Sequence, residues 1–182
     1  MNKNLKPVLF KSLFKKKITL PAHQENWQQF PSCIHGQQAQ ITVDLGWAPH
    51  APLANFQEVF YLIIPFDGET PEGLPLAETM QVIKALEQQI ASHFKKAELE
   101  AVHVASISMR GERLQMYYFH KSQQVQRFVQ VLVKAFGIRL TYQTDGRRDK
   151  KWEDYFTLAY PSPVQLQLIQ DRKKQKDTID NL

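Results

Sequence analysis

The chain has 182 residues, 43% of them hydrophobic and 11% aromatic, a length and composition typical of one soluble globular domain. No apolar run approaches the ~20 residues that a helix needs to cross a bilayer. Cys33 is the lone cysteine, so an internal disulfide and a multi-cysteine metal cluster are excluded.

The positive charge is concentrated at the N-terminus. The net charge is +5, but residues 1–20 contain six lysines and no acid, which leaves the rest of the chain close to neutral. A near-neutral domain lacks the basic surface typical of a general nucleic-acid-binding protein. Nucleic acid is therefore the less favoured partner.

Residues 1–22 are predicted to form a basic leader, amphipathic or flexible, in which apolar side chains are interleaved with lysines. Its leucines recur at four-residue spacing, which favours a short amphipathic helix interrupted near Pro7. Such a leader could bind an anionic membrane surface through residues 1–20, dock on the domain, or stay flexible. It lacks the apolar core and cleavage site of a secretory signal, so we expect a cytoplasmic location, with peripheral membrane contact left open.

Three strands are predicted before the first long helix. Residues 25–33 and 38–45 would pair around His35-Gly36, because apolar and polar residues alternate in the second segment. The sequence EVFYLIIPF at residues 58–66 is almost continuously apolar. This pattern predicts a central strand that is covered on both faces.

Residues 101–120, AVHVASISMRGERLQMYYFH, predict a β-hairpin near the middle of the domain. A polar loop at residues 110–113 joins its arms, and Gly111 can adopt positive φ there. Alternation in the first arm predicts one shared face for Ala101, His103, Ala105, Ile107 and Met109. The second arm is predicted to place Leu114, Met116 and Tyr118 on one face. Its other face would hold Gln115, Tyr117 and Phe119.

Two amphipathic helices flank this hairpin. Apolar spacings of three and four residues predict the first from Pro75 to Lys96. Its buried face would comprise Leu76, Met80, Ile83, Leu86, Ile90 and Phe94. Ser122 is a suitable N-cap for the second helix, which would end at Phe136, before Gly137.

The C-terminal part is predicted to add three elements. Alternation favours a strand at Ile138–Gln143, and the aromatic segment Trp152–Tyr160 is expected to be a strand or short helix. A last helix is predicted from Val164 through Gln175, followed by a polar end.

The predicted fold class is α+β, with a mainly antiparallel sheet and two helices packed on one face. Residues 58–143 read β-α-β-β-α-β, a ferredoxin-like core preceded by a β-hairpin. We expect a single α+β domain at residues 23–162, followed by a helical, polar tail at 163–182. The second face of the sheet would be covered by the leader, the C-terminal segment or another subunit.

Short motifs carry a resemblance to a known family: Trp27 and Phe30, Asp44, Ala51-Pro52-Leu53, Gly73-Leu74-Pro75, Gly111 with Arg113, Tyr117–Phe119, and Trp152 with Tyr155 and Tyr160-Pro161. On these residues the chain resembles the bacterial domain-of-unknown-function 695 family over about Glu25–Ser162, which leaves out the basic leader. The family has no assigned reaction. Its likeness to the small domain that inhibits bacterial ribonuclease E implies a protein-binding, regulatory role.

The sequence contains no recognisable catalytic motif. No pair among the six histidines has HExxH spacing, and no phosphate-binding glycine loop or nucleophile elbow occurs. In Cys33-Ile34-His35, the thiol and the imidazole are two residues apart, but an inert, half-buried cysteine is the favoured interpretation. We predict no catalytic residue, no metal site and no cofactor.

The favoured function is a non-enzymatic protein-interaction or regulatory module, with another protein or a second copy as its partner. Its predicted partner-binding residues are Arg110, Arg113, Tyr118, His120 and Trp152, because arginine and aromatic side chains are common interface anchors. One alternative is an enzyme or small-ligand binder with a cleft near Tyr118, His120 and Trp152, although no small molecule is identifiable. A second alternative is an RNA-associated protein that uses the charged loop at residues 147–151, where nearby acids weaken the field.

Overall fold

The computed structural model describes residues 20–136 and 147–180. In these ranges the strands are β1 (Trp27–Ile34), β2 (Gln37–Asp44), β3 (Glu58–Pro65), β4 (Ala101–Met109), β5 (Glu112–Phe119) and β6 (Arg147–Arg148). The α-helices are α1 (Ala77–Lys96), α2 (Ser122–Phe136) and α3 (Pro163–Asp180), and a short π-helical segment at Tyr155–Ala159 precedes α3.

The strands form one sheet in the order β1-β2-β4-β5-β3-β6, and every neighbouring pair is antiparallel. This confirms the predicted α+β fold with a mainly antiparallel sheet. The ferredoxin-like core is not confirmed, because the sheet has six strands in an order that differs from that of a four-stranded ferredoxin-like sheet. The strand predicted at Ile138–Gln143, the helix stop at Gly137 and leader residues 1–19 lie outside the described residues.

Helices α1 and α2 cover one face of the sheet, which we call the helix face. Phe60 and Phe119 of the sheet make edge-to-face contacts with Phe128 of α2, with ring centroids 4.9 Å apart in each pair. Phe94 of α1 packs on the same ring. Both helices therefore lie on one face, as predicted. Leu76, predicted on the buried face of α1, is 47% exposed because it lies before the first turn.

The opposite face, which we call the C-terminal face, packs against the segment around Trp152 and, at Ile169, against α3. Trp152 is fully buried, stacks on Tyr118 at a centroid distance of 4.1 Å and donates from Nε1 to the Phe56 carbonyl (2.7 Å). The Tyr155 hydroxyl donates to the Asp44 carbonyl (3.0 Å). The C-terminal segment is therefore one of the covers of the second face.

A β-bulge in β4 changes which of its residues share a face. Pairing with β5 is irregular between His103 and Ala105, where the register skips Val104. One extra residue reverses the alternation of side chains. Ala101 therefore packs with the core of the helix face, whereas Ala105 and Ile107 pack with that of the C-terminal face. The single shared face predicted for this arm is wrong.

Helix α3 lies along the outer edge of β1. Gln165 Nε2 donates to the Pro31 carbonyl (2.9 Å), and an Arg172 guanidinium nitrogen donates to the Gln29 carbonyl (3.1 Å). The Pro31 carbonyl therefore points away from β2. In an antiparallel strand the nitrogen of a residue points the same way as its carbonyl, so the ladder loses no donor at this proline.

Candidate functional site

A cleft of about 620 Å³ opens on the C-terminal face, beside the tip of the β4–β5 hairpin. Its floor is apolar and combines side chains from the sheet, the β1–β2 hairpin and the π-helical segment: Ile34, Ile107, Met109, Leu114 and Leu158. Its polar side chains are His35, Tyr61, Arg110, Glu112, Arg147 and Asp154. We refer to this site as the cleft.

One wall of the cleft is a hydrogen-bonded group of three side chains. The Asp154 carboxylate accepts from the Tyr61 hydroxyl and from the Arg147 guanidinium. Asp154 is buried, whereas the Arg147 side chain is 56% exposed. Burial, together with the hydrogen bond to Asp154, raises the pKa of the Tyr61 hydroxyl, which therefore stays protonated as a donor at neutral pH. The charges of this wall are paired with each other.

The turn that follows β6 holds this wall in place. The Asp149 carboxylate accepts from the Tyr118 hydroxyl (2.7 Å) and from the backbone amides of Glu153 (2.8 Å) and Asp154 (3.0 Å). Burial opposes the charged form of Asp149, but these hydrogen bonds and the nearby Arg147 outweigh it and lower its pKa. An ionised carboxylate therefore joins the turn to the sheet.

The rim of the cleft is formed by the hairpin tip. Arg110 and Gly111 have φ values of 50° and 72°, and they form a tighter turn than the predicted loop at residues 110–113. The Gly111 amide donates to the Gly73 carbonyl (3.1 Å). A Cβ on Gly73 would lie 2.8 Å from the Arg110 backbone, so the close approach requires glycine. The turn at Gly73-Leu74-Pro75 therefore fixes the backbone of Arg110.

Of the five predicted partner-binding residues, the structure brings Arg110 alone to the cleft. Arg113 is buried on the helix face, where its guanidinium donates to the Glu87 carboxylate (2.8 Å) and to the Ser108 hydroxyl (3.0 Å). Alternation along β5 explains this separation, because Arg113 and the cleft residue Leu114 point to opposite faces.

The three residues of the alternative cleft do not line a common pocket either. Tyr118 and Trp152 are fully buried, and their stacked rings form part of the core of the C-terminal face. His120 lies just beyond β5, and its Nδ1 is 2.6 Å from the Asn55 carbonyl oxygen. In the described residues, the five side chains predicted to act together are therefore distributed over four environments: the cleft, the helix face, the core of the C-terminal face and the end of β5.

Several cleft residues were not singled out from the sequence. Tyr61 lies in the apolar run of β3, and its hydroxyl is the one polar side-chain group between Val59 and Ile64. That isolated polar group could have indicated a functional position. Arg147 belongs to the charged loop considered for RNA, and Asp154 follows that loop as one of its acids. Their common hydrogen bonds connect residues 93 positions apart, a distance that a local pattern does not reveal.

The arrangement suits binding rather than proton transfer. Its floor is apolar, and its buried carboxylate is engaged by a guanidinium and a phenol. Pockets with an apolar surface and a few placed polar groups are typical ligand sites. In residues 20–136 and 147–180, no group of three or more His, Cys, Asp or Glu side chains is arranged to hold a metal ion.

The antiparallel sheet with helices on both faces defines an α+β protein. The chain belongs to the Family of unknown function (DUF695), whose family model matches residues 25–160. This match confirms the resemblance found in the sequence. No curated protein and no solved structure matches the chain. Among the described helices, none is long and apolar enough to span a membrane.

The residues that carry the family resemblance serve mainly the fold. Asp44 accepts from the backbone amides of Asn26 (2.8 Å) and Gly46 (3.0 Å), while Trp152 is buried and Gly73 contacts the hairpin tip. None of the motif residues is among the side chains that line the cleft. In this chain the motif residues therefore belong to the scaffold around the cleft and not to its lining.

Proposed function

We propose that the protein is a non-enzymatic interaction module that binds a peptide segment of a partner protein in the cleft. The observation that supports this proposal best is the apolar floor beneath a charged rim, at a preformed hairpin tip. A partner's apolar side chain would enter the floor between Leu114 and Leu158. Its flanking polar residues would meet Arg110 and Glu112.

The size of the cleft agrees with this ligand. Its volume of about 620 Å³ lies within the range of ligand pockets and accommodates a few side chains. Arginine is enriched among residues that anchor protein partners, and Arg110 is exposed here. Binding would bury the apolar floor, which is the main favourable contribution to association.

The charge of the cleft favours a peptide over RNA. Arg110 and Arg147 are balanced by Glu112 and Asp154, and two of these four groups already pair with each other. A polyanion is attracted by an excess of positive charge, which this cleft lacks. A peptide with both an acidic and a basic residue beside its apolar anchor matches the two exposed charges at the tip.

The rim is also preorganised. The Gly111 carbonyl accepts from the Phe66 amide (2.9 Å), and the Gly111 amide donates to the Gly73 carbonyl (3.1 Å). A tip held from both sides loses little backbone freedom when a ligand binds, and preorganisation of this kind increases affinity.

Selection of peptides on the purified protein tests the proposal. We expect the enriched peptides to share one apolar residue flanked by charged residues. Isothermal titration calorimetry then measures their affinity. Leu114→Glu and Arg110→Glu should each weaken binding by about tenfold or more, a loss of about 1.4 kcal/mol. The control is Arg127→Glu, which makes the same charge change on an exposed residue of α2, on the helix face.

Two results would contradict the peptide proposal. One is the absence of any enriched sequence, and the other is equal affinity for the parent, Leu114→Glu and Arg110→Glu proteins. Circular dichroism of each variant establishes that the domain is folded. Arg110 is exposed, so its substitution separates loss of binding from loss of folding.

A further inference from the structure

A second pocket, of about 280 Å³, lies on the helix face between α1 and the sheet. Glu87, Ala91 and Lys95 line it from α1, four residues apart and therefore on one side of the helix. Gln115 and Tyr117 line it from β5. This pocket is separate from the cleft, because alternate residues of β5 serve the two sites.

The pocket contains a buried polar group without a partner. Gln115 is fully buried, and its Oε1 accepts from the Tyr117 hydroxyl (2.7 Å). Its Nε2 has no hydrogen-bond partner among the described residues. An unsatisfied buried donor costs folding free energy, so such a group points to a missing acceptor. An ionised carboxylate is a strong acceptor, because hydrogen bonds to a charged group are stronger than those between neutral groups.

Charges of both signs frame the same space. The Glu87 carboxylate accepts through Oε1 from the Arg113 guanidinium (2.8 Å). Lys95 is exposed at the other end of the pocket. Eight residues of helix separate the two positions by about 12 Å along the axis. The small side chain of Ala91 leaves the space between them open.

The remaining lining is apolar or uncharged. Phe94 and Leu99 supply aliphatic and aromatic surface. The His103 ring stacks on Tyr117, with ring centroids 4.7 Å apart, and its Nε2 is within hydrogen-bond distance of the Ala105 carbonyl (3.0 Å). Burial lowers the pKa of His103 to about 4, so the ring adds no charge to the pocket at neutral pH.

We propose that this pocket binds a free amino acid with an apolar side chain. Lys95 and the Gln115 amide hold its carboxylate, and the Glu87 carboxylate accepts hydrogen bonds from its ammonium group. The apolar side chain packs on Phe94 and Leu99. A zwitterion pairs with both charges at once, whereas a simple anion would be repelled by Glu87 and a simple cation by Lys95.

Thermal shift and calorimetric titration of the full chain test this site, with leucine and phenylalanine as probes at millimolar concentration. We expect both to raise the melting temperature by mass action. N-acetylphenylalanine and phenethylamine, each lacking one of the two charges, should bind at least about tenfold more weakly. Failure of all four probes to bind would overturn the proposal.

Two substitutions in α1 locate the binding site. Lys95→Met removes the carboxylate partner, and the matched control Lys96→Met alters the neighbouring exposed lysine, which does not line the pocket. We expect about a tenfold loss of affinity in the first and none in the second. Ala91→Phe should block the pocket without altering its charge. Parent-like amino-acid binding by both Lys95→Met and Ala91→Phe would refute the assignment.

These outcomes are independent of the peptide proposal. The pocket and the cleft lie on opposite faces of the sheet, and the variants used for one leave the lining of the other unchanged. Failure of amino-acid binding with retained peptide binding, or the reverse, would therefore identify which of the two proposals is wrong.

Discussion

A methyl group added at Gly73 should cost more stability than the same group added at Gly36. The two glycines have nearly identical φ values, 78° and 77°. A Cβ on Gly73 would approach the Arg110 backbone to 2.8 Å, whereas a Cβ on Gly36 would meet no described atom within 4 Å. Gly36→Ala is therefore a matched control, because it has the same backbone strain from positive φ but no steric clash.

The magnitude follows from two contributions. Left-handed backbone at a non-glycine residue costs about 1–2 kcal/mol, and the stiffer unfolded chain returns about 0.4–1 kcal/mol, so Gly36→Ala should destabilise by about 1 kcal/mol. Gly73→Ala carries the same cost and must also displace backbone, which adds about 1–3 kcal/mol by comparison with overpacked sites. The expected difference between the two variants is therefore about 1–3 kcal/mol.

Urea unfolding followed by tryptophan fluorescence measures this difference, because Trp152 is fully buried in the folded domain. The slope of the free energy of unfolding with urea should be unchanged, so the midpoints report stability directly. If the two variants lost the same stability within about 0.5 kcal/mol, the turn at Gly73 would be able to move, and the hairpin tip would not be fixed by it.

Further predictions concern the core and two ionisable groups. Phe128→Ala should destabilise by about 3–5 kcal/mol in a thermal melt, because Phe128 is fully buried. The pKa of His103 is lowered from 6.5 to about 4, so between these pH values the unfolded chain binds a proton that the folded chain does not. The free energy of unfolding should therefore decrease as the pH drops from 6.5 to 4, and it should decrease less in His103→Gln. Asp149→Asn should cost about 2 kcal/mol at neutral pH by urea unfolding. Because the pKa of Asp149 is lowered, this difference should shrink as acid protonates the folded carboxylate, below its ordinary value of 3.8.

Local patterns predicted the strands and helices well where the backbone is regular. In β5 the alternation is unbroken, and Leu114 and Gln115 point to opposite faces, as predicted. In β4 the composition is equally typical of a strand, yet the bulge after His103 reverses the faces. A bulge inserts one residue without a strong change in local composition, so period-two counting does not detect it.

The cleft was harder to predict because it is assembled from distant segments. Tyr61 and Asp154 share a hydrogen bond across 93 positions, and the hairpin tip joins them only through the order of the strands. Tyr118 and Trp152 are predicted to bind a partner because aromatic side chains are common interface anchors. Their hydroxyl and indole groups find partners inside the domain, which permits both rings to be buried.

The contacts of α3 with the edge of β1 bear on the solubility of the protein. A bare edge strand offers its unpaired amides and carbonyls to any neighbouring chain, and such pairing can extend into aggregates. Here Gln165 and Arg172 occupy the carbonyls of Pro31 and Gln29, and Pro31 itself offers no donor. A chain cut after Ser162 would lose these contacts and present an open row of acceptors to its copies. At this edge of the sheet, the polar last helix thus occupies two of the acceptors with which a strand of another chain could pair.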